Sequence, residues 1–211
     1  MRNDLPDRSA QQLHESLARS LGTQPPLELS ERLSVHYAEL KRWNRVHGLV
    51  GRNESADFVE RHYAESLIGA DELEGRQRLL DIGSGGGFPG LVLAAARPNL
   101  DVWLVESRGK KAAFLRATAE RMGLRARCLS CRIERALPAE LPEEVDSLSL
   151  RAVKLPPPVW QSLASRYGSG VRALVWAGPS EPELPSVWRF QRERRLPSGG
   201  GRRLLVYESG T

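Results

Sequence analysis

The 211-residue chain has only two cysteines, two methionines and four histidines. Two cysteines cannot staple a domain of this size, which excludes a disulfide scaffold. They form a Cys-x-x-Cys at Cys128 and Cys131, but on a strand positions i and i+3 face opposite ways. With no second cysteine pair and scattered histidines, no metal centre is expected. No apolar run approaches the roughly 18–20 residues of a membrane span, and Met1 to Leu21 has no apolar signal core. The expectation is a cytoplasmic protein with no membrane association. Lysine is scarce as well: Lys41, Lys110, Lys111 and Lys154 are the only four among 31 cationic residues, and the net charge is +5. Arginine forks onto phosphate and keeps its charge, so such a chain suits nucleic acid. A GC-rich genome that writes Arg for Lys explains the same bias equally well. The remaining composition, 40% hydrophobic and 27% charged, is that of one globular domain with an appendage.

The N-terminal third carries three amphipathic helices. Leu13, Leu17 and Leu21 are spaced i, i+4, i+8, and Gly22 with Pro25-Pro26 stops the first. Ser30 is expected to cap a second helix with the stripe Leu33, Tyr37 and Leu40. A third is expected from about Ser55 to Ile68. From Arg78 the rhythm becomes strand, turn, helix. Strands are predicted at Leu79–Ile82, Val102–Val105, Arg127–Ser130, Val145–Leu150 and Val171–Ala177. Helices are predicted at Leu91–Arg97, Ser107–Met122 (Ser107 as cap) and Val159–Tyr167. Val187–Leu196 and Arg202–Glu208 flank Pro197-Ser198-Gly199-Gly200-Gly201 and read as a hairpin. Such alternation predicts a doubly wound α/β domain with a parallel sheet, over about residues 70–211, behind a helical N-terminal extension. The hairpin adds an antiparallel edge.

Gly85-x-Gly87-x-x-Gly90 comes after a strand and opens a helix, as a dinucleotide fingerprint does. Alone it is compatible with NAD, FAD or another adenosine cofactor, and with a bare turn. Two acids narrow it. Asp81 lies within the strand, two residues before Gly83, where dinucleotide folds carry an apolar group. A carboxylate there suits a cofactor bearing an ammonium and a sulfonium. Glu106 ends the second strand, 19 residues after Gly87, near the ~20 typical of a ribose-binding acid.

The run Asp81-Ile82-Gly83-Ser84-Gly85-Gly86-Gly87-Phe88-Pro89-Gly90 is more specific than a general methyltransferase loop. Around it lie Tyr37…Leu40…Trp43-Asn44, then Arg61-His62-Tyr63-Ala64-Glu65-Ser66-Leu67, then Glu106-Ser107…Lys110-Lys111…Phe114-Leu115, Arg132-Ile133-Glu134 and Arg151-Ala152. In this order they resemble the bacterial 16S rRNA guanine-N7 methyltransferases, the glucose-inhibited division protein B family, over about residues 33–178. The resemblance implies a Rossmann-like class I methyltransferase fold with a mostly parallel seven-stranded sheet over residues 71–211, and residues 1–70 as an RNA-facing extension. It implies S-adenosylmethionine as cofactor, held by Asp81, Gly83, Gly85, Gly87, Phe88, Glu106, Ile133, Glu134 and Arg151. Arg151 is the residue expected to position the acceptor, and Asn44, Arg61 and His62 are expected on the RNA side. The implied partner is 16S rRNA or the small ribosomal subunit, met by a monomer.

The chain departs from the family pattern at Gly48-Leu49-Val50 (Asn-Leu-Thr in the family), at Glu65 (Asp) and at Ala177-Gly178 (Lys-Gly). These losses keep a second reading open, a cofactor-binding, RNA-associated protein with weakened or lost catalysis. Guanine N7 carries a lone pair at neutral pH, so no general base is assigned. Catalysis is expected to rest on alignment of the reacting atoms.

Overall fold

The computed structural model describes residues 5–51, 58–136, 140–180 and 182–210. Five strands run parallel: β1 (Arg78–Ile82), β2 (Asp101–Val105), β3 (Ala126–Leu129), β4 (Ser147–Arg151) and β5 (Arg172–Ala177). The closing hairpin of β6 (Trp188–Arg195) and β7 (Arg203–Ser209) completes a seven-stranded sheet in the order β3-β2-β1-β4-β5-β7-β6. β7 pairs antiparallel with β5, and β6 forms the edge. The predicted doubly wound α/β architecture with its antiparallel hairpin is therefore present.

Strand alternation divides the core into two layers. Leu79, Val102, Leu104, Leu174 and Val206 face one side, where they pack with α4 (Gly90–Ala96) and α5 (Gly109–Arg121). Leu80, Ile82, Val105, Leu148 and Ala173 face the other, with α6 (Ile133–Ala136) and α7 (Pro157–Tyr167). Strands buried on both faces need apolar residues at consecutive positions, which is why they read as short unbroken runs.

The N-terminal helices pack on the first of these layers. In α1 (Ala10–Leu21) Ser9 and Gln12 form a reciprocal capping box, and Gly22 closes the helix at φ +69°. α2 (Leu27–His47) starts earlier than the cap expected at Ser30. Pro26, extended and without an N–H to satisfy, takes the N-cap position, and Ser30 lies buried inside the helix against His14 Nδ1 at 2.9 Å. The third helix is not a regular α-helix either. Its expected start at Ser55 lies outside the described residues. The rest is built from a π-helical turn (Val59–Ala64), α3 (Glu65–Leu67) and a 3₁₀ turn (Ile68–Leu73). The wide turn lets Phe58, His62 and Tyr63 all reach the ring of Phe88, at centroid distances of 6.2, 4.8 and 5.0 Å. Tertiary packing here overrides local spacing. Ser107 does not cap α5, which begins at Gly109; Glu106 Oε1 accepts the Arg108 N–H at 2.8 Å instead. Among the described residues no helix is long and apolar enough to cross a membrane.

Candidate active site

The strand order reverses between β1 and β4, and in open α/β sheets the crevice outside the carboxyl ends of the strands at such a point is where ligands sit. A cavity of about 590 Å³ opens there. Each of the first four strands sends it a loop: Gly83, Ser84, Gly85, Gly86 and Phe88 after β1, Glu106 after β2, Ile133 and Glu134 after β3, and Arg151, Ala152 and Val153 at the end of β4. His62 closes one side from the helical extension.

The glycine loop is held from below. The Gly83 and Ser84 N–H groups both donate to the Val105 carbonyl, at 2.8 and 3.2 Å. Gly83 has φ +76°, and a Cβ on it would stand 2.3 Å from Val153 Cγ2. Only glycine meets both the conformation and the contact. Gly87, at φ +87°, is equally restricted, because its Cβ would meet Leu91 Cδ1 at 2.7 Å and His36 Nε2 at 2.8 Å. The Gly85 N–H donates to Glu106 Oε2 at 3.0 Å. Glu106 therefore ties the loop after β1 to the start of α5 through its two oxygens. A carboxylate offers about four acceptor positions, so this buried group still has acceptor capacity toward the cavity.

Asp81 does not line the cavity. On β1 its neighbour Ile82 points there, and period-two alternation sends Asp81 to the opposite face, beneath the first residue of α4. It is fully buried. Ser149 donates to Oδ1 at 2.7 Å, whereas Oδ2 lies beside Gly90, whose N–H draws on it electrostatically without completing a hydrogen bond. Burial raises its pKa to about 6; Ser149, Ser84 and Gly90 oppose that shift. Asp81, expected from the sequence to attract the cofactor's cations directly or through water, lies behind the loop and outside the cavity lining. Gly87 is likewise a framing residue outside the lining.

Arg151 lies half-buried at the end of β4. One guanidinium nitrogen donates to Glu65 Oε2 at 2.8 Å and to the Arg61 carbonyl. Glu65, with no exposed surface, also meets Arg202 at 3.0 Å and the Ser198 hydroxyl, both from the hairpin connection, and its carbonyl accepts the Trp176 Nε1–H at 2.8 Å. Arg61 thus enters through its backbone, not through a side chain lining the cavity. Asn44 is also outside the lining. Its buried Oδ1 accepts the Leu49 and Val50 N–H groups at 2.7 and 3.1 Å, and those two residues border the cavity. Arg108, Lys111, Arg132 and Lys154 complete the rim, making it mostly cationic. No sequence signal points to Val153, and none to the backbone of Ala152, whose φ of +56° is unusual for a residue with a Cβ. None singles out His36 and Tyr63 either, because their positions on their helices look like ordinary amphipathic ones.

A switch-point crevice framed by a glycine loop, on this strand order, places the protein among Rossmann-like methyltransferase folds. Solved structures of this shape include a putative O-methyltransferase from Klebsiella pneumoniae (TM-score 0.57, 13% identity, 94% of this chain and 96% of that one). They also include a variant of MtNAS in complex with S-adenosylmethionine (TM-score 0.56, 15% identity, 95% and 78%). At such identities the likeness shows the fold alone. Sequence goes further. The family described as GidB, rRNA small subunit methyltransferase G, matches residues 29–159. The proteins named ribosomal RNA small subunit methyltransferase G from Myxococcus xanthus and Alkalilimnicola ehrlichii are 35% and 37% identical over 190 and 200 residues. These matches cover 88% and 92% of this chain, and 87% and 89% of theirs. The chain belongs to the rRNA small subunit methyltransferase G family and is a methyltransferase dependent on S-adenosylmethionine.

Its residues fit that cofactor. The cavity falls within the ~300–1,000 Å³ of small-molecule sites. The backbone at Gly85 is open to close approach, Glu106 keeps acceptor capacity at the end of β2, and Ile133 supplies an apolar wall after β3.

Proposed function

We propose that this protein methylates N7 of a guanine in 16S rRNA, with Glu106 and the glycine loop holding the methyl donor and Arg151 positioning the acceptor. S-adenosylmethionine supplies, when bound, an electrophilic methyl group on a sulfonium. The Gly85 backbone lets the donor approach without a Cβ in the way, Glu106 accepts hydrogen bonds from its ribose hydroxyls, and Ile133 and Glu134 flank its adenine. Phe88 and His62 close the side of the cavity next to the helical extension. No residue need remove a proton, because N7 presents its lone pair. The task left to the protein is alignment, for which holding two reactants at about 3–3.5 Å is worth several orders of magnitude in rate.

The observation that carries this reading is the placement of Arg151 across the same cavity from Glu106, its guanidinium held by Glu65 and the Arg61 carbonyl. A clamped guanidinium suits a planar base edge or a phosphate. The N7 edge is inaccessible in the deep, narrow groove of A-form RNA, so the target guanine belongs to a loop or an opened junction. The cationic rim and the exposed Arg42 and Arg45 of α2 provide phosphate contacts around it. In this reading the helical extension, residues 1–70, faces RNA, and the protein acts in the cytoplasm as a monomer on 16S rRNA or the small subunit.

The test is methyl incorporation into 16S rRNA and into small subunits by the wild type and Arg151→Ala, with mass-spectrometric location of the product. The wild type should label one guanine at N7, and Arg151→Ala should be slower by about 100-fold or more, the scale of a misaligned reactant. Donor binding without incorporation into either substrate would overturn this in favour of a non-catalytic RNA-associated protein.

A further inference from the structure

Behind the glycine loop, on the side away from the cavity, α2 and the π-helical turn place a pair of polar side chains in a fully buried setting. His36 and Tyr63 have no exposed surface. His36 Nε2 lies 3.0 Å from the Gly86 carbonyl, and its Nδ1 lies 2.7 Å from the Tyr63 hydroxyl. A carbonyl can only accept, so the ring proton sits on Nε2, and Nδ1 accepts from the tyrosine. Burial lowers the imidazole pKa to about 4, which keeps the ring neutral and this pattern intact at neutral pH.

The bond to Gly86 has a consequence within the loop. The same peptide unit carries the Gly87 N–H, which donates to the Ser84 carbonyl at 2.7 Å. The Gly86–Gly87 peptide is thereby fastened at both polar ends, one from inside the turn and one from the helical extension. The neighbouring ring of Phe88, which does line the cavity, meets His36 and Tyr63 edge-on, each at 5.0 Å between centroids. Three adjacent glycines would otherwise leave this loop with large conformational freedom to lose on binding.

We propose that His36 and Tyr63 are positioning residues for the methyl donor: they touch neither donor nor RNA, but hold the Gly86–Gly87 peptide and Phe88 in the binding-ready conformation. The proposal rests on the reading of this loop as the S-adenosylmethionine site. It makes the helical extension part of the cofactor site's frame as well as a surface for RNA. Pre-organisation of this kind raises affinity by removing an ordering cost that a looser loop incurs on binding.

The experiment is calorimetric titration of the full-length protein with S-adenosylmethionine and with S-adenosylhomocysteine, for the wild type, His36→Phe, His36→Gln and Tyr63→Phe. Thermal unfolding is recorded on each protein without ligand, and steady-state kinetics accompany the titrations. His36→Phe keeps a buried ring but loses both hydrogen bonds, and should weaken both ligands by about tenfold; Tyr63→Phe loses one indirect bond and should weaken them by about threefold. In His36→Gln the side-chain amide can still donate to the Gly86 carbonyl, so affinity should return to within about threefold of the wild type. KM for the donor should rise in step with the dissociation constant, while kcat at saturating donor stays within about twofold. If the variants melt earlier yet bind both ligands as the wild type does, the pair is structural only and the proposal is overturned. Lower kcat with unchanged donor affinity overturns it too. Should the wild type itself bind neither ligand, the cofactor reading of the loop fails first and takes the proposal with it.

Discussion

The two ends of the cavity each rest on a fully buried carboxylate, and the two are treated in opposite ways. Under the donor loop, Asp81 meets the neutral Ser149 hydroxyl, Ser84 side chain and Gly90 amide, and the negative charge of Glu106 adds to the effect of burial. At the acceptor end, Glu65 is faced by two guanidiniums, those of Arg151 and Arg202, and by the Ser198 hydroxyl. Burial in the first case pushes the acid toward its neutral form, with a pKa near 6. In the second, two cations offset the cost of burial. The difference matches the work proposed for each end. The donor loop is shaped by backbone and needs a quiet support. Under that proposal the acceptor end holds Arg151 in one orientation beside RNA, and the buried Glu65 carboxylate would keep it from swinging to the nearest phosphate.

The largest effect should come from removing the charged partner. Glu65→Ala leaves Arg151 and Arg202 without their shared carboxylate in a largely buried setting. Breaking such a pair from one side typically costs about 3–5 kcal/mol. Denaturant unfolding should show a loss of at least about 3 kcal/mol, and methyl incorporation should fall as far as it does in Arg151→Ala. Glu65→Asp, one methylene shorter, should recover most of the stability. If Glu65→Ala were as stable and active as the wild type, the contrast between the two ends would be gone.

That junction is also where the sequence is least informative. Glu65 finds Ser198 and Arg202 at separations of 133 and 137 residues, and no local pattern announces a contact of that range. The sheet is legible because its central strands are buried on both faces and carry apolar runs such as Leu79-Leu80 and Ala173-Leu174-Val175-Trp176. Glu106, Ile133 and Arg151 are legible as cavity residues because each stands at or just beyond the carboxyl end of a strand, where the switch point puts a ligand. Helix starts are less so. The expected caps Ser30 and Ser107 both give way, to Pro26 and to Arg108, because a cap is set by the geometry of chain entry as well as by residue type. Asp81 shows how strand alternation decides which residue of β1 lines the crevice. Strand alternation next to Ile82 allows only one of the two to face the crevice, and the apolar residue takes that place.

A second, smaller effect should appear at Asp81 as a dependence on pH. Its folded pKa is near 6, above the ordinary 3.8, so between about pH 4 and 6 the folded state keeps a proton that the unfolded state has released. Stability from this group is therefore fully present below about pH 4 and is lost as pH rises through 6. A shift of this size corresponds to roughly 2–3 kcal/mol. Asp81→Asn cannot ionise. Across unfolding curves taken from pH 4 to 8, the wild type should lose stability relative to this variant by about that amount, with the change concentrated between about pH 4 and 6.5. A constant difference over the range would mean that Asp81 titrates normally.

The smallest and most discriminating effect is expected at Ser149, whose hydroxyl donates to Asp81 Oδ1 at 2.7 Å with neither residue exposed. A hydrogen bond to an ionised acceptor stabilises more than one to a neutral acceptor, ~1.5–3 against ~0.5–1.5 kcal/mol. Ser149→Ala should therefore cost about 1 kcal/mol at pH 4, where Asp81 is protonated in the folded protein, and about 2 kcal/mol at pH 8, where it is not. Losing the donor also pushes the carboxyl pKa higher still, so the window in which stability falls should move to higher pH. An equal cost of Ser149→Ala at pH 4 and pH 8 would show that Asp81 does not change its charge over this range, and the contrast drawn for this end of the cavity would fail.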